Sequence, residues 1–194
     1  MGIGVNYLND ALATFKNYKK LADKSFAQIS DEEFFKVIDA ESNSIAVMVK
    51  HIANNLKSRW TDFLTTDGEK PSRNRDSEFE LYEDDTRQNL VEKWENGWET
   101  TFASIESLTV EDLQKTITIR GQNHTVIEAI NRSVTHCAYH VGEIVFLAKH
   151  LRSSNWQTLS VPRGKTAAFN EFLINKEDKG NRFDAPQEFI ESQK

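Results

Sequence analysis

A single cysteine, Cys137, stands in 194 residues, so no intrachain disulfide can form and the fold must rest on its core. The chain has no run of eighteen apolar residues, which excludes a membrane-spanning helix. It has no excess of basic residues: 24 Lys and Arg against 30 Asp and Glu give a formal charge of −6, which argues against non-specific nucleic-acid binding. Met1-Gly2-Ile3-Gly4-Val5-Asn6 lacks a basic region followed by an apolar run, so no secretory signal is expected. Internal repeats and low-complexity runs are missing too. Together these absences point to a cytoplasmic protein. Length and 38% hydrophobic content suit one ordinary globular domain with a substantial core.

Several chemistries are excluded by missing motifs. Gly164-Lys165-Thr166 imitates the end of a phosphate-binding loop, yet Leu159 stands where its first glycine belongs. There is no Gly-x-Gly-x-x-Gly after a strand and no His-Glu-x-x-His. The four tryptophans read as core and interface anchors.

What is present is helical periodicity. Leu8, Leu12, Phe15, Ala22 and Phe26 mark a first helix from about Val5 to Phe26. Ser30-Asp31-Glu32-Glu33 reads as a capping box opening a short helix. A second long helix follows the N-cap candidates Ser42-Asn43-Ser44 and carries Ile45, Met48, Ile52, Leu56 and Phe63, with its end expected at Asp67-Gly68. Residues 67–84 form a long polar connection, functional or a crossover. A third helix begins near Asp84-Asp85-Thr86 and buries Leu90, Trp94, Trp98, Phe102 and Ile105. Thr109 to Asp112 reads as a capped turn, and Lys115 to Asn123 as a small hairpin. A fourth helix spans about Val126 to Leu151, with a further short helix near Ala167 to Ile174. The predicted fold is all-α, a four-helix bundle over residues 1–175 with a long connection between helices 2 and 3. Residues 176–194 are a polar tail, partly disordered or docked on a partner subunit.

His136 and His140 are the chemically informative pair. Four residues apart on a helix, they project from nearly the same side and can grip one divalent metal. His51, on the second helix, is a candidate third ligand. Each lies roughly 60–100° from the centre of its helix's apolar stripe, on a flank. The plain alternative is three half-exposed polar side chains. Three histidines leave a coordination position open, which suits a catalytic metal. Glu143, one turn beyond His140, would orient an imidazole, act as a base, or be a solvated charge. Asn55 and Arg59 follow His51 at successive turns; Asn55 is a hydrogen-bonding candidate and Arg59 could steer an anionic substrate. Cys137 falls in the apolar stripe and reads as core, His124 as hairpin edge, His150 as a helix C-terminal residue.

A lone histidine in helix 2 with His-x-x-x-His in helix 4 resembles the DinB/YfiT-like superfamily. The words Ser42-Asn43-Ser44-Ile45, His51-Ile52-Ala53-Asn54-Asn55, Arg59-Trp60-Thr61-Asp62-Phe63, Thr66-Asp67-Gly68-Glu69-Lys70-Pro71 and Val161-Pro162-Arg163-Gly164 look like a bacterial branch of unknown function. The resemblance covers about residues 5–175. It implies up-down-down-up topology with residues 67–84 as the crossover. It also implies a divalent metal, commonly zinc or nickel, on His51, His136 and His140, and a homodimer. Superfamily members of assigned activity are often transferases or isomerases using low-molecular-weight thiols. The expected function is therefore metal-dependent activation of a thiol or water on a small-molecule substrate. The alternatives are a non-catalytic metal-binding or stress-associated dimeric scaffold, with Trp94 and Trp98 or the tail at its interface, and a metal-free bundle.

Overall fold

The computed structural model describes residues 2–178 and 180–193. Among them, seven α-helices, three short 3₁₀ segments and one two-stranded hairpin make a mostly helical chain, 63% helix. Among the described residues no helix is long and apolar enough to cross a membrane. Two compact units divide the chain, Met1–Leu151 and Arg152–Lys194.

The first unit contains α1 (Ile3–Phe26), α2 (Asp31–Phe35), α3 (Ile45–Trp60), α4 (Arg87–Glu106), β1 (Thr116–Ile119), β2 (Gln122–Thr125) and α5, which runs Val126–Arg152. Helix starts follow local chemistry. Ser30 and Glu33 form the expected capping box on α2. Ser44 Oγ accepts from Val47 N on α3, and Thr86 Oγ1 accepts from Asn89 N on α4. α3 stops at Trp60 rather than at Asp67-Gly68. Asp62 there adopts φ 48°, and Thr65 and Thr66 both donate their hydroxyls to its carbonyl. Short polar side chains capture backbone groups that another helical turn would need. Phe63 keeps its expected burial, with its ring 4.9 Å from Trp60.

The long helices share one aromatic core. Phe15 of α1 meets the edges of Trp60 on α3 and Trp98 on α4, at 6.3 and 6.2 Å. Trp94 lies 5.4 Å from Trp98 and 5.9 Å from Phe26. Both α4 tryptophans are wholly enclosed within the chain, so neither is available at an interface. Gly97 allows α4 to approach α3: a Cβ there would lie 2.8 Å from the Ala53 carbonyl oxygen. α5 joins through Trp60 Nε1 to Ser133 Oγ at 3.4 Å and Tyr7 OH to Asn131 Oδ1 at 2.8 Å.

The hairpin closes through Arg120 and Gly121, both at positive φ, the requirement of a two-residue turn that follows strand twist. Asp67 accepts from the backbone of both residues at 2.8 Å, and Gly68 N donates to Thr118 O. The chain leaving α3 is thereby fastened to β1, which brings Arg120 toward the end of α3.

In the second unit, α6 (Thr166–Asn175) packs on α7 (Ala185–Ser192) through Phe169 and Phe172 against Phe189, at 5.4 and 5.6 Å. The polar tail expected from composition thus contains a helix whose Phe189 is buried.

Candidate metal centre

Helical repeats on α3 and α5 build the site. α3 presents His51, Asn55 and Arg59 at four-residue intervals, and α5 presents Arg132, His136 and His140 likewise. All six line one cavity of about 590 Å³. One ligand atom from each of His51, His136 and His140 lies within 4.8 Å of the others, so this group could hold a metal ion. His124 and His150 stand outside the group, and Cys137 is core, with burial pushing its thiol up to about 12.

His51 Nε2 and His136 Nε2 are 3.2 Å apart. Two nitrogens bound to a tetrahedral zinc ion at ~2.0 Å would be separated by about 3.3 Å, so the spacing fits a shared cation. His140 Nδ1 is 2.7 Å from Glu143 Oε2, which leaves its Nε2 free. His51 Nδ1 is 2.8 Å from Glu78 Oε2. Two of the three imidazoles therefore have carboxylates on their outer nitrogens, the arrangement that fixes a metal-binding tautomer. His136 Nδ1 is buried and has no hydrogen-bond partner among the described residues. Without a cation the hydrogen bonds have a simple solution. His51 donates through Nδ1 to Glu78 and accepts at Nε2 from His136, whose Nδ1 is then an unprotonated acceptor.

The electrostatics favour the neutral form of two of these rings, His136 and His140. Burial, then the nearby His140 and His51, push His136 down to about 3. Burial also lowers His140, against the opposing hydrogen bond with the Glu143 carboxylate. Protons therefore compete weakly with a cation for the His136 and His140 nitrogens near neutral pH.

His51 is only 3% exposed, deeper than a flank position implies. The cause is the α3–α4 connection, in which a 3₁₀ turn at Asp76–Phe79 folds over it. Phe79 places its ring 4.9 Å from the His51 ring. Glu78, 1% exposed, accepts from His51 and also from Arg73 Nε and Nη2, each at 2.8 Å. Burial raises the Glu78 carboxyl, but the His51 and Arg73 hydrogen bonds outweigh it and hold it below the ordinary value. Sequence reasoning missed Glu78 because the connection has no periodicity that would assign it a direction.

Arg59 is buried, and its Nη1 has no hydrogen-bond partner among the described residues. Burial, then Arg132, Arg73 and Arg120, lower it to about 10, so it stays charged at neutral pH. Arg75, Arg120 and Arg132 also line the cavity and were missed by sequence reasoning, although Arg132 precedes His136 by the same four residues that reveal His140. Asn55 faces the same space between His51 and Arg59. Glu143 is not among the cavity-lining residues; its carboxylate engages His140.

Comparison with known proteins adds a family. No curated protein matches the chain. A family model described as "Protein of unknown function (DUF1572)" matches residues 2–165, and the chain belongs to that family.

Proposed function

We propose that the chain is a cytoplasmic, homodimeric DinB-like four-helix bundle of up-down-down-up topology. In this reading His51, His136 and His140 hold a divalent metal ion, zinc or nickel, and the protein is a metal-dependent enzyme that activates a thiol or water. The observation that carries it is the convergence of three imidazoles from two helices, two of them braced by carboxylates on Nδ1. Topology, dimer and thiol chemistry rest on the superfamily resemblance. Such an ion, with three histidine ligands and an open position, lowers the pKa of a bound water or thiol toward neutrality.

The chain's own residues divide the remaining work. Glu78 and Glu143 keep the Nδ1 protons of His51 and His140, which points each Nε2 lone pair inward. Glu143 is thus a positioning residue rather than the base that handles a substrate proton. Phe79 and the 3₁₀ turn exclude water from one side of His51. Asn55 and Arg59 face the substrate space.

Elemental analysis of protein purified without chelator should find about one zinc or nickel per chain, lost in His51→Ala and His136→Ala. A reactive electrophile offered with several thiols should turn over with wild type and not with the triple alanine variant. Absence of stoichiometric metal, with unchanged melting of His51→Ala, would refute the metal site. Metal without turnover across a broad screen would favour a binding scaffold.

A further inference from the structure

The cavity around the three histidines is lined by four arginines and no Asp or Glu, in a chain whose net charge is −6. A cleft lined by one sign of charge concentrates oppositely charged ligands. Buried cations elsewhere in this fold have partners. Lys50 meets Asp85 at 2.6 Å and the Glu80 carbonyl at 2.7 Å. Arg73 meets Glu78 at 2.8 Å and Glu69 at 2.9 Å. Arg59 is the exception: 7% exposed, it forms no ion pair among the described residues, and its Nη1 is without a hydrogen bond. Glu69, the acid whose charge Arg59 feels, is bonded to Arg73 and Arg120.

The room for that guanidinium is specific. Gly68 lies against it, and a Cβ at that position would come within 3.2 Å of Arg59 Nη1. Buried charge without a partner is costly unless something supplies the opposite charge. Arg132, exposed on α5, also lines the cavity and bears on Arg59 electrostatically. Arg59 is eight residues from His51, and Arg132 four from His136, so the arginines sit roughly 6–12 Å along the helices from the imidazoles.

We propose that Arg59 and Arg132 form an anion subsite beside the three histidines, and that the ligand of this cavity is a small molecule bearing a carboxylate or phosphate group. The anionic group docks on the guanidiniums while the remainder of the molecule reaches the imidazoles. Arg59 offers a rigid fork of donors matched to either oxyanion. Asn55, between the two ends, offers an amide to the connecting part of the ligand. The proposal names the substrate class of the site described above and rests on that cavity being a binding site.

The test uses metal-free protein in a sulfonate buffer at fixed ionic strength, with inorganic phosphate and succinate as probes, followed by calorimetric titration and thermal shift. At least one probe should bind and raise the melting temperature. Arg59→Met should weaken that binding at least tenfold, while its melting temperature without probe holds or rises because a lone buried charge is gone. Arg132→Ala, at an exposed position, should weaken binding severalfold and decides the matter if Arg59→Met does not fold. Binding of phosphate alone identifies a phosphate ester, and of succinate alone a carboxylic acid. The proposal is overturned if neither probe binds wild type, or if both variants bind like wild type. Metal content measured on protein as purified, before chelator treatment, separates the two readings. Metal there without anion binding sinks the subsite alone, and no metal there with anion binding that the arginine variants lose sinks the metal centre alone.

Discussion

Glu78→Gln is the most discriminating single change, because it preserves shape while altering one proton. Glu78 accepts three hydrogen bonds of 2.8 Å, one from His51 Nδ1 and two from Arg73. A glutamine has one acceptor oxygen and one amino group in place of two acceptors. Arg73 holds both carboxylate oxygens, through Nε on Oε1 and Nη2 on Oε2, and His51 Nδ1 shares Oε2. Either amide orientation therefore sets the amino group against an Arg73 N–H. With the oxygen at the Oε2 place, His51 keeps its Nδ1 proton but faces a neutral acceptor instead of a carboxylate. With the amino group there, Nδ1 must accept and the imidazole proton moves to Nε2, the nitrogen that a cation needs. Both outcomes weaken the partner that orients His51. Loss of such a partner typically lowers metal affinity 10- to 100-fold, equivalent to about 1.4–2.7 kcal/mol. Stability falls as well. Charge-assisted hydrogen bonds contribute about 1.5–3 kcal/mol each and neutral ones about 0.5–1.5. Arg73 retains Glu69 at 2.9 Å, so a net loss of about 2–4 kcal/mol is expected. For a domain of this size each kcal/mol moves the melting temperature about 2–4 °C. Chelator-competition titration gives the affinity, and calorimetry of metal-free protein gives the stability. Metal affinity within threefold of wild type would refute the orienting role of Glu78, however much the melting temperature fell.

Three further expectations follow from the core and the imidazoles. His136, held at about 3 against an ordinary 6.5, makes native protein bind fewer protons than unfolded protein between those values. Stability of metal-free protein is therefore full above about pH 6.5 and declines as pH falls toward 3; a urea midpoint flat from pH 7 to 5 would contradict the buried neutral ring. Gly97→Ala drives a methyl group to 2.8 Å from the Ala53 carbonyl oxygen. Overpacking of about 1–3 kcal/mol outweighs a gain in helix propensity of about 1 kcal/mol, so thermal melting should occur earlier, and a stabilised variant would show that α3 and α4 can separate freely. Cys137 is wholly buried with its thiol raised to about 12, so it should resist alkylation until denaturant is added. Rapid labelling of native protein would contradict its place in the core.

The sequence revealed those parts of the site that obey a repeat. His136 and His140 declare themselves by four-residue spacing, and the aromatic residues of α4 declare the core face by theirs. Ser30, Ser44 and Thr86 mark helix starts because a cap needs only its own side chain and the next few amides. The end of α3 was misplaced because Phe63 keeps the apolar rhythm after the backbone has left the helix at Asp62. Glu78 and the arginines of positions 73, 75 and 120 were illegible for a different reason. Their directions depend on how an aperiodic connection and a hairpin settle on α3, which only tertiary contacts decide.

Those contacts also explain why the α3–α4 connection is long. It would be needlessly extended if its task were only to join two helices that pack side by side. Its residues are committed one by one instead: Asp67 to the hairpin turn, Arg73 to Glu78, Glu78 to His51, Phe79 to the His51 ring, Asp85 to Lys50. Lys50 and His51 are neighbours on α3, so the connection is pinned at both ends of the segment that covers the imidazole. A shorter loop would leave His51 on the wet flank that its helical position implies, with neither the carboxylate on Nδ1 nor the burial. Burial and hydrogen bonding at His51 are thus properties of the connection as much as of the helix that carries it.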